Sequence, residues 1–154
     1  MAIRLIHLGV GIPGRHWLEI VAGHPDFEWA ACVDSNDTAL QESRALPGQQ
    51  HGHFYRTFEE ALAGAQADAV LISSPSFLHA RHAIQALDAG LGVVVEKPIG
   101  LTLPEAVTVV ERQRRTTLPV MVAENYRFFA AERTVADLLR KGVAGRLGSA
   151  ICID

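Results

Sequence analysis

The stretch Ile3-Arg4-Leu5-Ile6-His7-Leu8-Gly9-Val10-Gly11-Ile12-Pro13-Gly14 decides the fold. Ile3 to Leu8 reads as an apolar strand, and Gly9 to Gly14 spells G-x-G-x-x-G where a helix over Pro13 to Ala22 begins. The first glycine permits a tight turn, the second lets the backbone approach a pyrophosphate, and the third lets the helix pack close on the strand. A helix start offers unpaired N–H groups and the positive end of a dipole to an anion. Pro13 is compatible with this, because a first-turn residue has no intrahelical use for its N–H. Alone the pattern is weak, and what surrounds it has to carry the reading.

Outward from the glycines, Phe27 to Val33 reads as a second strand ending at Asp34, twenty residues after Gly14. An acidic side chain there accepts hydrogen bonds from the ribose hydroxyls of adenosine. A 2′-phosphate would face that carboxylate, and Ser35-Asn36 supplies no arginine to compensate. The expectation is a dinucleotide site for NAD, with NADP disfavoured. The bland alternative is a glycine turn followed by an unrelated surface aspartate.

The alternation continues. A helix is expected over Asp37 to Ala45 and a short strand over His53 to Tyr55. Thr57-Phe58-Glu59-Glu60 is a capping box opening a brief helix that ends at Gly64. Ala69 to Ile72 reads as a strand, Phe77 to Ala89 as a helix stopped by Gly90, and Gly92 to Val95 as a valine-rich strand. Thr102-Leu103-Pro104-Glu105 is a second capping box, starting a helix to about Arg115, and Pro119 to Val122 is the next strand. Repeated β-α-β with near-continuous apolar strands is the signature of a parallel sheet covered on both faces. Right-handed crossovers then give an α/β, doubly wound, mostly parallel Rossmann sheet.

The tail extends past that series. Ala130 to Lys141 reads as a helix with Val135, Leu138 and Leu139 on one face, and Leu147 to Ile153 as one more apolar strand. The expected organisation is a dinucleotide-binding domain over 1–123, then a connecting helix and the first strand of a truncated second domain over 124–154. A terminal strand with nothing after it leaves an open edge. The rest of a longer protein, a neighbouring element or another copy of the chain would cover it, so a homo-oligomer through that strand is one expectation.

Composition narrows the class. Of 154 residues, 49% are hydrophobic and 20% charged, the balance of one ordinary globular domain. A net charge of −3, with no basic run interleaved with aromatics, argues against nucleic acid. The segment from Asn125 to Arg146 is locally basic, which a solvated helix face explains as well as an anionic partner does. The N-terminus runs straight into a strand pattern, without a signal-peptide layout or a run long enough to span a bilayer, so no membrane and a cytoplasmic location are expected. Cys32 and Cys152 sit in apolar stretches and read as buried hydrophobes in a reducing compartment. The pairs His79/His82 and His51/His53 lack the further ligands a metal site needs; they read as surface histidines, and no metal is expected.

Two further clusters should reach the crevice at the carboxyl ends of the strands. Ser73-Ser74-Pro75 follows the Ala69 strand, with small hydroxyls that let a cofactor pass close, and His79 lies just beyond. Glu96-Lys97-Pro98 ends the Gly92 strand. Proline disfavours helical geometry before it and so holds Lys97 extended. Beside a nicotinamide, Lys97 either transfers a proton or stays charged and polarises a carbonyl or hydroxyl. Without the other motifs, a solvated Glu-Lys pair before a turn would explain it equally well.

Together these pieces resemble the Gfo/Idh/MocA family, which comprises glucose–fructose oxidoreductase, inositol dehydrogenase and relatives. The matching residues are Gly9 to Gly14 with His16, Asp34, Ser74-Pro75 with His79, Glu96-Lys97-Pro98, and Ala123-Glu124-Asn125-Tyr126-Arg127-Phe128 leading to Gly142 through Gly148. One departure is Ala130-Ala131, where family members often have a proline. The resemblance implies a nicotinamide-dependent oxidoreductase of sugars, inositols or related hydroxy compounds. It implies Lys97 as the catalytic residue in contact with substrate, and Asn125 and Arg127 near the nicotinamide. Gly9, Gly11, Ile12, Pro13, Gly14, Asp34, Ser73, Ser74, Pro75, His79, Glu96 and Lys97 complete the expected cofactor contacts. It further implies a second domain, on an open antiparallel sheet, that supplies most substrate contacts and the Asp and His working with the lysine. A non-catalytic dinucleotide sensor is the main alternative; a site for S-adenosylmethionine is a distant one, since it gives Glu96-Lys97-Pro98 no role.

Overall fold

The computed structural model describes residues 2–46, 52–143, 145–146 and 148–149. His51, Cys152 and all of the strand expected over Leu147 to Ile153 except Gly148 and Ser149 lie outside them. The chain forms two compact units, Met1–Ala123 and Glu124–Asp154.

The first unit alternates strand and helix: β1 (Ile3–Leu8), α1 (Ile12–Ala22), β2 (Phe27–Val33), α2 (Asp37–Arg44), β3 (His53–Tyr55), α3 (Phe58–Gly64), β4 (Ala69–Ile72), α4 (His79–Asp88), β5 (Gly92–Val95), α5 (Leu103–Arg114) and β6 (Val120–Val122). The strands form one sheet in the order β3-β2-β1-β4-β5-β6, parallel at every pairing. The expected α/β doubly wound Rossmann architecture is therefore present.

The strands are apolar on both faces because helices cover both. Ile6, Leu8, Val70, Ile72, Val93 and Val95 pack with Phe58 and Ala61 of α3, Ala83 and Leu87 of α4, and Val109 of α5. Cys32 faces the other way, with Val10, Leu18 of α1, and Ala39 and Leu40 of α2. Burial pushes the Cys32 thiol up to about 12, so it stays protonated as a small hydrophobe.

Local signals place the helix starts. Thr57 and Thr102 both close reciprocal capping boxes, with Glu60 and Glu105, each worth about 1 kcal/mol. The Asn36 side chain caps α2 through the amides of Thr38 and Ala39. One expected helix starts differently. Ser76–Leu78 forms a 3₁₀ turn, in which the Leu78 N–H donates to Pro75 O at 2.8 Å, and α4 proper begins at His79. Proline permits that tight turn but holds the chain extended immediately before it.

The order reverses between β1 and β4, which opens a crevice beyond their carboxyl ends. Backbone bonds continue one residue past several strands: Gly9 N–H to Val33 O, Ser73 N–H to Leu8 O, and Glu96 N–H to Ile72 O, each 2.8 Å. The loops that carry the motifs thus leave the sheet side by side.

In the second unit, a 3₁₀ turn over Tyr126–Phe128 precedes α6 (Ala130–Arg140). Val135 and Leu138 lie on an exposed face, and no residue of α6 is buried. Among the described residues no helix is long and apolar enough to cross a membrane.

Candidate cofactor site and its lysine

The glycine turn is shaped by what a side chain would strike. Gly9 has φ +94°, and a Cβ there would come within 2.5 Å of Ser74 N and 2.6 Å of the Ser73 carbonyl carbon. A Cβ on Gly14 would lie 2.0 Å from Gly9 O. Beside Gly11, by contrast, nothing lies within 4 Å. Two glycines are closed by protein and the middle one faces open space.

Gly11 is also the N-cap of α1, and no side chain caps it; the first turn carries no acidic residue. The leading amides of α1, except the one Pro13 lacks, are left for an anion. The Ile12 side chain beside them is 86% exposed.

Asp34 is aimed by two backbone bonds: Oδ2 accepts the Val10 N–H at 3.0 Å and Oδ1 the Asn36 N–H at 2.9 Å. Each carboxylate oxygen keeps a further lone pair, enough to accept hydroxyls. Gly9, Gly11, Pro13, Asp34, Ser73, Ser74, Pro75, His79, Glu96 and Lys97 all line one crevice of about 570 Å³. A smaller pocket of about 230 Å³ shares Gly9, Asp34, Ser74 and Pro75 and adds Arg56, Arg81 and His82. Arg56 is an arginine that the Ser35-Asn36 reading missed: its guanidinium donates to Ser35 O at 3.4 Å and pairs with Asp37 at 3.2 Å. It comes from the end of β3, beyond the reach of local pattern.

Several site residues act differently from their sequence expectation. The Ser73 hydroxyl turns inward, 2.7 Å from His7 Nε2 and donating to Gly9 O at 2.6 Å. His79 and His82 are not surface histidines. His79 is 2% exposed, with Nδ1 2.7 Å from Pro98 O and Nε2 2.7 Å from Ser74 O, so it bridges the loops after β4 and β5. His82 is half-buried against the Ser74 hydroxyl at 3.0 Å and edge-on to Phe58. Burial and nearby Arg81 bring its pKa down to about 4. Helical periodicity placed both on α4 but could not say that this face meets the loops.

Glu96 is a brace. Oε1 accepts the Trp17 indole N–H at 2.8 Å, and Oε2 the backbone N–H of Lys97 at 3.2 Å. Lys97 itself is exposed at the crevice, and its bond to Pro98 is cis. Among the described residues no group of three or more His, Cys, Asp or Glu is placed to hold a metal ion. Asn125 and Arg127 lie in the second unit, where the Arg127 guanidinium stands 5.8 Å from the Phe128 ring centre.

Residues 3–124 match GFO_IDH_MocA, an oxidoreductase family with an NAD-binding Rossmann fold. The chain belongs to that family. An uncharacterized oxidoreductase of Synechocystis is 39% identical over 93 residues, covering 60% of this chain and 25% of that protein. A glycosyl hydrolase family 109 protein of Shewanella baltica is 29% identical over 153 residues, covering 94% of this chain and 33% of that protein. The crystal structure of the WlbA dehydrogenase of Bordetella pertussis, in complex with NADH and UDP-GlcNAcA, superposes with a TM-score of 0.88 at 28% identity. That match covers 95% of this chain and 45% of the other. The chain thus spans a quarter to a third of the length of the two curated relatives. As a GFO_IDH_MocA Rossmann unit it takes NAD, and its open Gly11 face and uncapped helix start fit a dinucleotide pyrophosphate.

Proposed function

We propose that this Rossmann unit serves an NAD-dependent dehydrogenase that oxidises or reduces a sugar, inositol or related hydroxy compound. The observation that carries this is the convergence of Gly11, Asp34 and Lys97 on one crevice. Gly9, Gly11 and Gly14 with the backbone of Ile12 and Pro13 cradle the pyrophosphate, and Asp34 accepts the ribose hydroxyls. Ser73, Ser74 and Pro75 form the wall between them. NAD supplies the hydride acceptor or donor. Lys97 lies where it can hold or take the proton of the reacting hydroxyl. Glu96 and His79 act through the backbone of the loop that carries Lys97.

The working enzyme pairs this unit with a second domain, for which residues 124–154 are the proposed beginning, in a reducing cytoplasm. The chain by itself then binds NAD and turns over little. The Shewanella relative's name adds glycosides to the substrate classes worth assaying. The test is calorimetric titration with NAD and NADP, before and after Asp34→Ala. The reading expects NAD to be preferred and the preference to shrink in the variant. Equal binding of both cofactors by the unaltered chain, or Lys97-dependent polyol turnover by these residues alone, would overturn it.

A further inference from the structure

We propose that His7 is a positioning residue for the cofactor turn. Its ring sets the direction of the Ser73 hydroxyl, and that hydroxyl holds the Gly9–Val10 peptide in the orientation the phosphates need. The inference rests on reading the glycine turn as the pyrophosphate site.

The Gly9–Val10 peptide is gripped at both of its polar atoms. Its oxygen accepts from Ser73 Oγ at 2.6 Å, and its N–H donates to Asp34 Oδ2 at 3.0 Å. Ser73 Oγ carries a single hydrogen and also lies 2.7 Å from His7 Nε2. A carbonyl cannot donate, so the contact with Gly9 takes the serine hydrogen, and the contact with His7 takes a hydrogen on Nε2. The chain therefore runs in one direction, His7 Nε2–H to Ser73 Oγ–H to Gly9 O. With the hydrogen on Nδ1 instead, Ser73 would turn toward the ring and two oxygens would face each other without a hydrogen between them.

The surroundings agree. His7 is fully buried and stacked on Trp29, with ring centres 5.0 Å apart and planes 16° from parallel. Burial holds its pKa down to about 3, so the ring is neutral. Nδ1 has no hydrogen-bond partner, as suits a nitrogen that carries only a lone pair. Leucine would fill the place without burying an unpaired polar atom. What the histidine adds is the donor that orders Ser73.

The test begins with the unaltered chain, labelled with ¹⁵N-histidine, in a long-range ¹H–¹⁵N correlation spectrum. His7 is expected as one neutral tautomer with its hydrogen on Nε2, unchanged between about pH 5 and 8. Hydrogen on Nδ1, or a ring that titrates like an exposed histidine, overturns the proposal. NAD titration of variants follows. His7→Leu and Ser73→Ala are expected to weaken binding about tenfold, whereas His7→Gln, which still donates, stays within about threefold. His7→Leu binding like the unaltered chain, or His7→Gln as weak as His7→Leu, overturns it as well. Should His7→Leu fail to fold, Ser73→Ala and the spectrum decide. A chain that shows the expected tautomer but binds no NAD overturns the cofactor reading itself and leaves the hydrogen-bond chain purely structural.

Discussion

The two ends of the crevice are built on opposite plans. At the glycine end the backbone does the work: two glycines are closed by neighbouring main chain, and one peptide is pinned from both sides by Ser73 and Asp34. At the lysine end, side chains hold the main chain: Trp17 holds Glu96, Glu96 holds the Lys97 amide, and His79 reaches Pro98. Lys97 then projects into the crevice as its exposed charge. Binding a cofactor favours a surface that is rigid before the ligand arrives, whereas moving a proton needs one reachable group on a firm base. The first end has no room for an added atom at Gly9 or Gly14, and the second should tolerate loss of its tip.

Acid is expected to break the contrast most severely, because His7 sits beneath the glycine end. Its pKa lies near 3 in the folded chain against an ordinary 6.5. Between those values the unfolded chain binds the extra proton, so stability present above pH 6.5 is lost as pH falls. The slope is about 1.4 kcal/mol per pH unit for a fully shifted group. His82, held near 4, adds to it over the upper part of the window. Urea unfolding at a series of pH values measures the slope, and His7→Gln should remove the larger share.

Gly14→Ala comes next. Its Cβ would meet a backbone oxygen at 2.0 Å, and backbone cannot rotate away. A loss of about 1–3 kcal/mol in denaturant unfolding is expected, as for overpacking elsewhere, together with loss of NAD binding by calorimetry. A variant that still binds would mean the turn is softer than its contacts imply.

Trp17→Phe probes the other end. It keeps an aromatic ring, though a smaller one, and removes the bond to Glu96, at an expected cost of about 1.5 kcal/mol for a bond to a charged group. Hydrogen exchange should accelerate at the Lys97 amide and stay unchanged at Val10. If both amides accelerate, the ends are coupled and the contrast fails. Lys97→Ala should have the smallest effect on the chain itself, within about 0.5 kcal/mol of stability and with little change in NAD affinity. In the two-domain dehydrogenase proposed here the same change should abolish turnover; retained turnover would remove Lys97 from the chemistry.

Local sequence pattern specified the strands of the first unit, most of its helix starts and the three motifs that meet in the crevice. Apolar runs marked β1, β2, β4 and β5 residue for residue, and both capping boxes formed as spelled, because these are local patterns acting over one helical turn or one strand. The side chains that connect the motifs were decided only in tertiary structure. His7 and Ser73 are 66 residues apart, and Trp17 and Glu96 are 79. Periodicity tells which face of an element a residue occupies, not which residue of a distant element lies opposite. His79 and His82 looked like surface residues for that reason, and Arg56 was invisible beside Asp34. Only when β1 and β4 pair, with β5 next in the sheet, do the loops beyond them lie side by side, and proximity then gives those polar atoms their partners.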